Sequence, residues 1–333
     1  MLFGYTAAAV AGFLLTAVRN WTGLETARGI PLASLTLLWV VGRVLPLLPS
    51  ISPALVASVD LSFLPALAIV LAVPLLRAEN RSNLLVLLPL GMLTVANALV
   101  HSEWLGYAMD TARLGIVLAV YSLVLLITII AGRVIPFFIQ RRFPDIKIES
   151  RPLIEYMSVI TVIALALADL FAPTAKAVVL CAMLAAGVHA WRLRAWLVRS
   201  ALSEPLLWVL LAGYAWLVIG FGLLAVAYSG FIAIMLAFHA LMVGGIGVLS
   251  LGMMARVSLG HTGRPLRASR LAAMAFVLMN IAALVRILGP LFTVRYEQAM
   301  ISAAGALWII SFALFLTIYA PILIQARADA GAG

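Results

Sequence analysis

Residues 238–264 read FHALMVGGIGVLSLGMMARVSLGHTGR, and this stretch decides what kind of molecule the chain forms. No charge interrupts the run from Phe231 to Met254. As a helix rising about 1.5 Å per residue it would cross the roughly 30 Å of hydrocarbon in a bilayer. His239 sits inside that run, so its imidazole must be surrounded by hydrocarbon or packed protein. His261 falls in the polar segment that follows. Between them Gly244, Gly245, Gly247, Gly252 and Ser250 thin the helix surface, and Met242, Met253 and Met254 add polarizable side chains that fit irregular partners. Two readings stand side by side: a tightly packed membrane helix with one hydrogen-bonded histidine, or a binding site.

Working outward, the whole chain has the same character. Of 333 residues, 65% are hydrophobic and 10% charged, and the mean hydropathy is +1.17. No soluble core of this size needs that much apolar sequence, which makes the chain a polytopic, all-α membrane protein. The formal net charge of +10 does not point to nucleic acid, because the basic residues fall in short loops between apolar runs. The single cysteine, Cys181, lies in an apolar segment and excludes an intramolecular disulfide or a cysteine-based zinc or iron–sulfur site. The first apolar run lacks a basic leader and a small-residue cleavage site, so it reads as a retained helix.

Eleven apolar runs are long enough to span, at about 2–18, 30–48, 54–76, 83–101, 112–132, 155–172, 175–192, 205–228, 231–256, 268–289 and 298–322. Tight hairpins are expected at Pro173–Thr174 and Ser229–Gly230. The longest polar connection is 133–154, too short for a soluble domain, so residues 1–333 read as one integral membrane domain. Arg and Lys concentrate after the odd-numbered helices, at Arg19 and Arg28, Arg77 and Arg81, Arg133 to Arg151, Arg194 and Arg199, and Arg264 and Arg267. The alternate loops hold little beyond Lys176 and Arg295. The odd loops and the C-terminus are therefore expected in the cytoplasm and Met1 outside. A short N-terminus crossing unaided gives that arrangement, and so does a twelve-helix protein whose first helix is missing from this sequence.

Charges inside spanning helices are costly, so their depth is informative. Arg43 and Asp60 lie about two turns from the turn joining their helices and should form an ion pair. Asn97 and His101, four residues apart, share a helix face. Asp169 and Arg286 close the outward ends of their helices, Asn280 lies near midplane, and His239 joins the outward layer. His189, in HAWRLRAW, reads as an interfacial anchor among aromatic and basic neighbours. If residues 239–261 form one straight helix, His239 and His261 are separated by about 33 Å and cannot share one ion, leaving either two sites or a helix that ends near Ser258. Histidines with buried arginines favour a cofactor, since imidazole ligates haem iron or copper and guanidinium pairs with propionates. A transporter without a redox cofactor, its polar residues lining a path, is the competing class.

Three stretches, MLFGYTAAAVAGFLLTAVRNWTG at 1–23, FHALMVGGIGVLSLGMMARVSLGHTGRPL at 238–266 and YAPILIQARAD at 319–329, resemble the NnrS family of bacterial inner-membrane proteins, with GRVIPFF at 132–138 in keeping. The resemblance covers essentially the whole chain. It implies a twelve-helix protein that binds haem, with copper as a second candidate metal, and that protects against nitric oxide and iron–nitrosyl species, with the lipid bilayer as its surroundings. It carries over His239 and His261 as metal ligands with Arg256 and Arg264 as motif companions. His101 is a further ligand candidate and Arg43 a cofactor-binding one, in a site expected in the periplasmic half. In the family the MLFG segment follows a histidine-rich H-x-H-E stretch and an earlier helix, which would make Met1 an internal methionine of the pattern. No catalytic residue is assigned.

Overall fold

The structure is a computed structural model, which describes residues 2–78, 81–149, 151–171, 174–292 and 297–329. Among them every regular element is helical and eleven helices are long and apolar enough to cross a membrane. They are α1 (Leu2–Thr22), α2 (Ile30–Leu47), α3 (Pro53–Arg77), α4 (Asn83–Trp104), α5 (Thr111–Arg142), α6 (Pro152–Phe171), α7 (Ala175–Trp196), α9 (Pro205–Tyr228), α10 (Ile234–His261), α11 (Arg270–Leu291) and α12 (Glu297–Ile324). A single turn, α8 (Arg199–Leu202), precedes α9. The eleven expected spans are present, and the protein is a polytopic membrane helix bundle. Pro173 and Arg295 lie outside the described residues.

The chain divides into two compact units, Met1–Ile129 and Ile130–Gly333. In the first, α3 packs against α1, α2 and α4. Leu14, Val18, Leu67, Leu71 and Leu90 are fully buried there. Ser52 caps α3 by accepting from the Leu55 N–H at 3.3 Å, and Pro53 at the first helical position gives up no hydrogen bond. In the second unit α9 packs against both α7 and α10, and α11 pairs with α12. Its core includes Leu217, Phe221, Phe276 and Met279. Many large apolar residues stay exposed, Ile69, Leu76, Ile309 and Leu316 among them. They are side chains that a bilayer covers, since every helix already satisfies its own backbone. Hydroxyls follow the same logic: Thr94, Thr128, Ser158 and Ser311 each donate to the carbonyl four residues earlier.

Three local features depart from the sequence reading. First, α5 does not stop at residue 132 but continues to Arg142, so half of the expected polar connection is helix. Pro136 lies inside it and releases the Gly132 carbonyl from the helix ladder. Secondly, α10 is uninterrupted to His261, so the alternative ending near Ser258 is not realised. Thirdly, two segments are π-helical, Leu2–Thr6 at the start of α1 and Ala240–Gly247 within α10. Each lies in a stretch that carries the family resemblance. The α9–α10 turn forms as expected, with Gly230 at φ +87°, a conformation that L side chains avoid.

Candidate functional site

In the first unit Asp60 is the centre of a buried polar cluster. It is 8% exposed and is held from three directions. Arg43 on α2 pairs with one carboxylate oxygen. Asn97 Nδ2 on α4 donates to the other at 3.1 Å, and His101 Nε2, one turn later, contacts the same oxygen at 2.8 Å. The Arg43–Asp60 pair and the shared face of Asn97 and His101 both agree with the sequence reading. A carboxylate beside a guanidinium is ionised and only accepts, so His101 Nε2 must carry the proton. In the neutral ring Nδ1 is then left with a lone pair. That Nδ1 is buried and, among the described residues, has no hydrogen-bond partner, and neither has the Arg43 Nε. Trp104 lies edge-on to the His101 ring at 5.7 Å. Nearby, the π-helical start of α1 leaves the Gly4 carbonyl to accept from Trp39 Nε1 at 3.1 Å.

The second unit holds His239, immediately before the π-helical turn of α10. Its Nδ1 is buried without a partner, and among the described residues no hydrogen bond reaches either ring nitrogen. An unmet polar atom in a membrane interior is unfavourable by about 1–3 kcal/mol, which makes an orphaned imidazole informative. Single π-turns are frequent at functional positions because they re-aim side chains at small backbone expense. Arg286 on α11 is the charged side chain that acts on His239. The sequence reading placed it in the same layer without giving it a role. The glycines that follow accept α9: a Cβ on Gly244 would collide with Trp216, and one on Gly252 would come 2.6 Å from Val209 Cγ1. Trp216 Nε1 in turn donates to Asn280 Oδ1 at 2.9 Å.

His189 corrects the sequence reading. It is no interfacial anchor, being 0% exposed, and Arg192 and Trp196 beside it are buried as well, while Trp191 and Arg194 face outward. The Ser158 carbonyl can only accept, so His189 Nε2 donates to it at 3.2 Å. Nδ1 must then accept from the Tyr214 hydroxyl at 2.7 Å. Tyr214 Oη accepts in turn from Arg192 Nη1 at 3.1 Å, and Arg192 pairs with Glu155. Both His189 nitrogens are thereby engaged, and the chain of bonds clasps α6, α7 and α9. Neither Tyr214 nor Glu155 stood out in the sequence, because nothing local marks them as partners of a residue on another helix.

The remaining motif residues are also placed. Arg256, 6% exposed, lies with its guanidinium carbon 3.8 Å from the Phe138 ring centre. Arg264 donates to Gln325 Oε1 at 2.7 Å and bridges α10 to the end of α12. His261 is exposed at the far end of α10 from His239, so the two histidines do not meet. Among the described residues no group of three or more His, Cys, Asp or Glu side chains gathers to hold a metal ion.

No curated protein and no solved structure matches this chain. The sequence model described as NnrS protein matches residues 1–327, taking in both π-helical motifs, the Asp60 cluster and the Arg256 and Arg264 positions, and the chain belongs to the NnrS family.

Proposed function

We propose that the chain is a haem-binding inner-membrane protein of the bacterial nitric-oxide response, with His239 as the iron ligand. The observation that carries this reading is the imidazole of His239, part-buried, beside a π-helical turn, with neither nitrogen hydrogen-bonded among the described residues. Haem asks the protein for one or two axial ligands, whereas a copper centre asks for several nitrogen or sulfur donors at once. A lone histidine suits the first demand, so haem is the better fit of the two. Arg286 is suited to neutralise a propionate, as guanidinium pairs bidentately with carboxylate.

His101 is the second candidate. Its Nδ1 is orphaned and its other nitrogen is held by Asp60, the carboxylate–histidine arrangement that fixes tautomer and ring orientation in ligand histidines. Arg43 serves there chiefly to keep Asp60 ionised. His261, Arg256 and Arg264 lie towards or just beyond the other end of α10 from His239 and are better suited to structure than to its haem. Haem, when bound, supplies an iron that takes nitric oxide as a ligand or carries one electron. The residues of this chain would orient the ring, balance its charge and exclude water.

The positive loops after the odd-numbered helices favour a cytoplasmic C-terminus, which puts His239 and His101 in the periplasmic half. The test is the absorption spectrum of the purified protein from haem-replete cells, with and without reductant. A Soret band that is lost or shifted in His239→Ala and retained in His189→Phe is the expected result. A protein without a Soret band, or one whose band is indifferent to His239, overturns the reading.

A further inference from the structure

A cavity of about 500 Å³ opens where α6 begins and α7 ends, within the range of small-molecule sites. Its wall carries Lys147, Arg151, Arg192 and Arg194 against Glu149 and Glu155, four cations to two carboxylates, a surplus of two positive charges. One pair cancels internally. Arg192 gives Nε and Nη2 to Glu155 and Nη1 to Tyr214, and forms a satisfied floor. The three other cations come from separate positions on the rim, and among the described residues none of them is in an ion pair. Two indoles complete the wall: Trp196, buried and edge-on to Tyr214 at 4.8 Å, and Trp191, half exposed with the Arg194 guanidinium over its ring.

From these residues we propose that the cavity binds the phosphate headgroup of an anionic phospholipid. A phosphodiester presents oxygens on several sides, which suits cations converging from Lys147 and Arg151 and from α7 better than one planar carboxylate does. The position argues for a lipid over a free anion. The cavity lies at the ends of spanning helices, where indoles sit at headgroup level, and below it α6 exposes Leu153, Tyr156 and Ile160 along one side. Acyl chains running down that face would cover them while the phosphate stays among Lys147, Arg151 and Arg194. This site is independent of the haem reading, since it shares no residue with the surroundings of His239 or His101.

The experiment titrates the purified full chain in detergent with phosphatidylglycerol, phosphatidylcholine or inorganic phosphate, reading bound lipid by native mass spectrometry and tryptophan fluorescence. Phosphatidylglycerol is expected to bind at least about tenfold more tightly than phosphatidylcholine, and Arg151→Gln/Arg194→Gln to erase most of that preference. Both substitutions are at exposed positions, and the melting temperature in detergent alone shows whether the double variant is folded. If it is not, Lys147→Gln by itself is expected to weaken phosphatidylglycerol a few-fold. Equal binding of the two lipids, or a folded variant that binds like the parent, overturns the proposal. Inorganic phosphate displacing phosphatidylglycerol at equal concentration overturns the lipid as the source and leaves a soluble anion.

Discussion

Asp60 Oδ2 lies 2.8 Å from His101 Nε2, and across the same carboxylate Arg43 takes the other oxygen, so one buried acid both supplies the counter-charge of an arginine and fixes the tautomer of a histidine. Neither effect survives removal of the acid. In Asp60→Asn, Arg43 keeps its charge but loses its counter-charge, and Asn97 and His101 lose an ionised acceptor. Breaking a buried pair from one side destabilises by about 3–5 kcal/mol, and Arg43, a third exposed, should bring this towards the lower end. The check is the thermal midpoint in detergent. Asp60→Asn is expected to fall well below Arg43→Gln/Asp60→Asn, in which neither partner is charged.

The His189 clasp gives a contrasting expectation. His189→Phe keeps an aromatic ring beside Phe221 but leaves the Tyr214 hydroxyl and the Ser158 side of the clasp without the imidazole. The Ser158 carbonyl still accepts from Thr161 Oγ1 and the Tyr214 oxygen from Arg192, so the Tyr214 O–H donor is what is left unmet, and stability should drop by about 1–3 kcal/mol. A variant as stable as the parent would show that the clasp is not what holds α6, α7 and α9 together.

Gly132 lies where α5 meets the Arg192–Glu155 pair, and a Cβ built there falls onto the guanidinium and the carboxylate. Gly132→Ala must therefore separate the ion pair or push α5 away. Gly187 on α7 has nothing within 4 Å of its Cβ position. There alanine is expected to be neutral or to stabilise by about 0.5–1 kcal/mol through helix propensity alone. Measuring both midpoints side by side separates the close approach from the general preference, and a harmless Gly132→Ala would mean that the pair is not seated against α5.

Where α5 meets α10, Phe138→Leu removes the ring beneath Arg256 but keeps its apolar bulk. The loss should be about 1–2 kcal/mol for a desolvated cation–π contact, seen as a lowered midpoint with an unchanged Soret band. A loss of haem in this variant would place Arg256 in the cofactor site after all.

The C-terminal tail supplies a pH expectation. Ala328 N–H donates to the Thr262 carbonyl at 2.9 Å, and Arg327 hydrogen-bonds Asp329, holding its carboxyl below the usual carboxylate range. A depressed folded-state value stabilises above the unfolded value and is lost as pH falls through the folded one. On this pair's account tail docking should loosen as pH falls below about 4. Exchange of the Ala328 amide, corrected for its intrinsic rate, measures it. Protection that does not change between about pH 5 and about pH 3 would contradict the assignment.

The sequence by itself determined the number of spans, their approximate limits, the loop charge pattern and the family. Apolar length and glycine- and histidine-bearing motifs are local properties and need no partner to be read. It also determined the Arg43–Asp60 pair and the shared face of Asn97 and His101, because equal distances from short turns set equal depths. Tertiary structure alone decided which polar atoms are answered and which are left over. His189 looked like a boundary residue, since HAWRLRAW has belt composition, yet Tyr214 and Ser158 from other helices bury and satisfy it. His239 was marked as a ligand candidate by its motif, but only the packed helix shows that, among the described residues, neither of its nitrogens has a hydrogen-bond partner. Helix α5 outran its expected end because Arg133 and Pro136 are unfavourable only when considered alone. Hydrogen-bond satisfaction depends on neighbours remote in sequence, so it became visible only once the helices were packed.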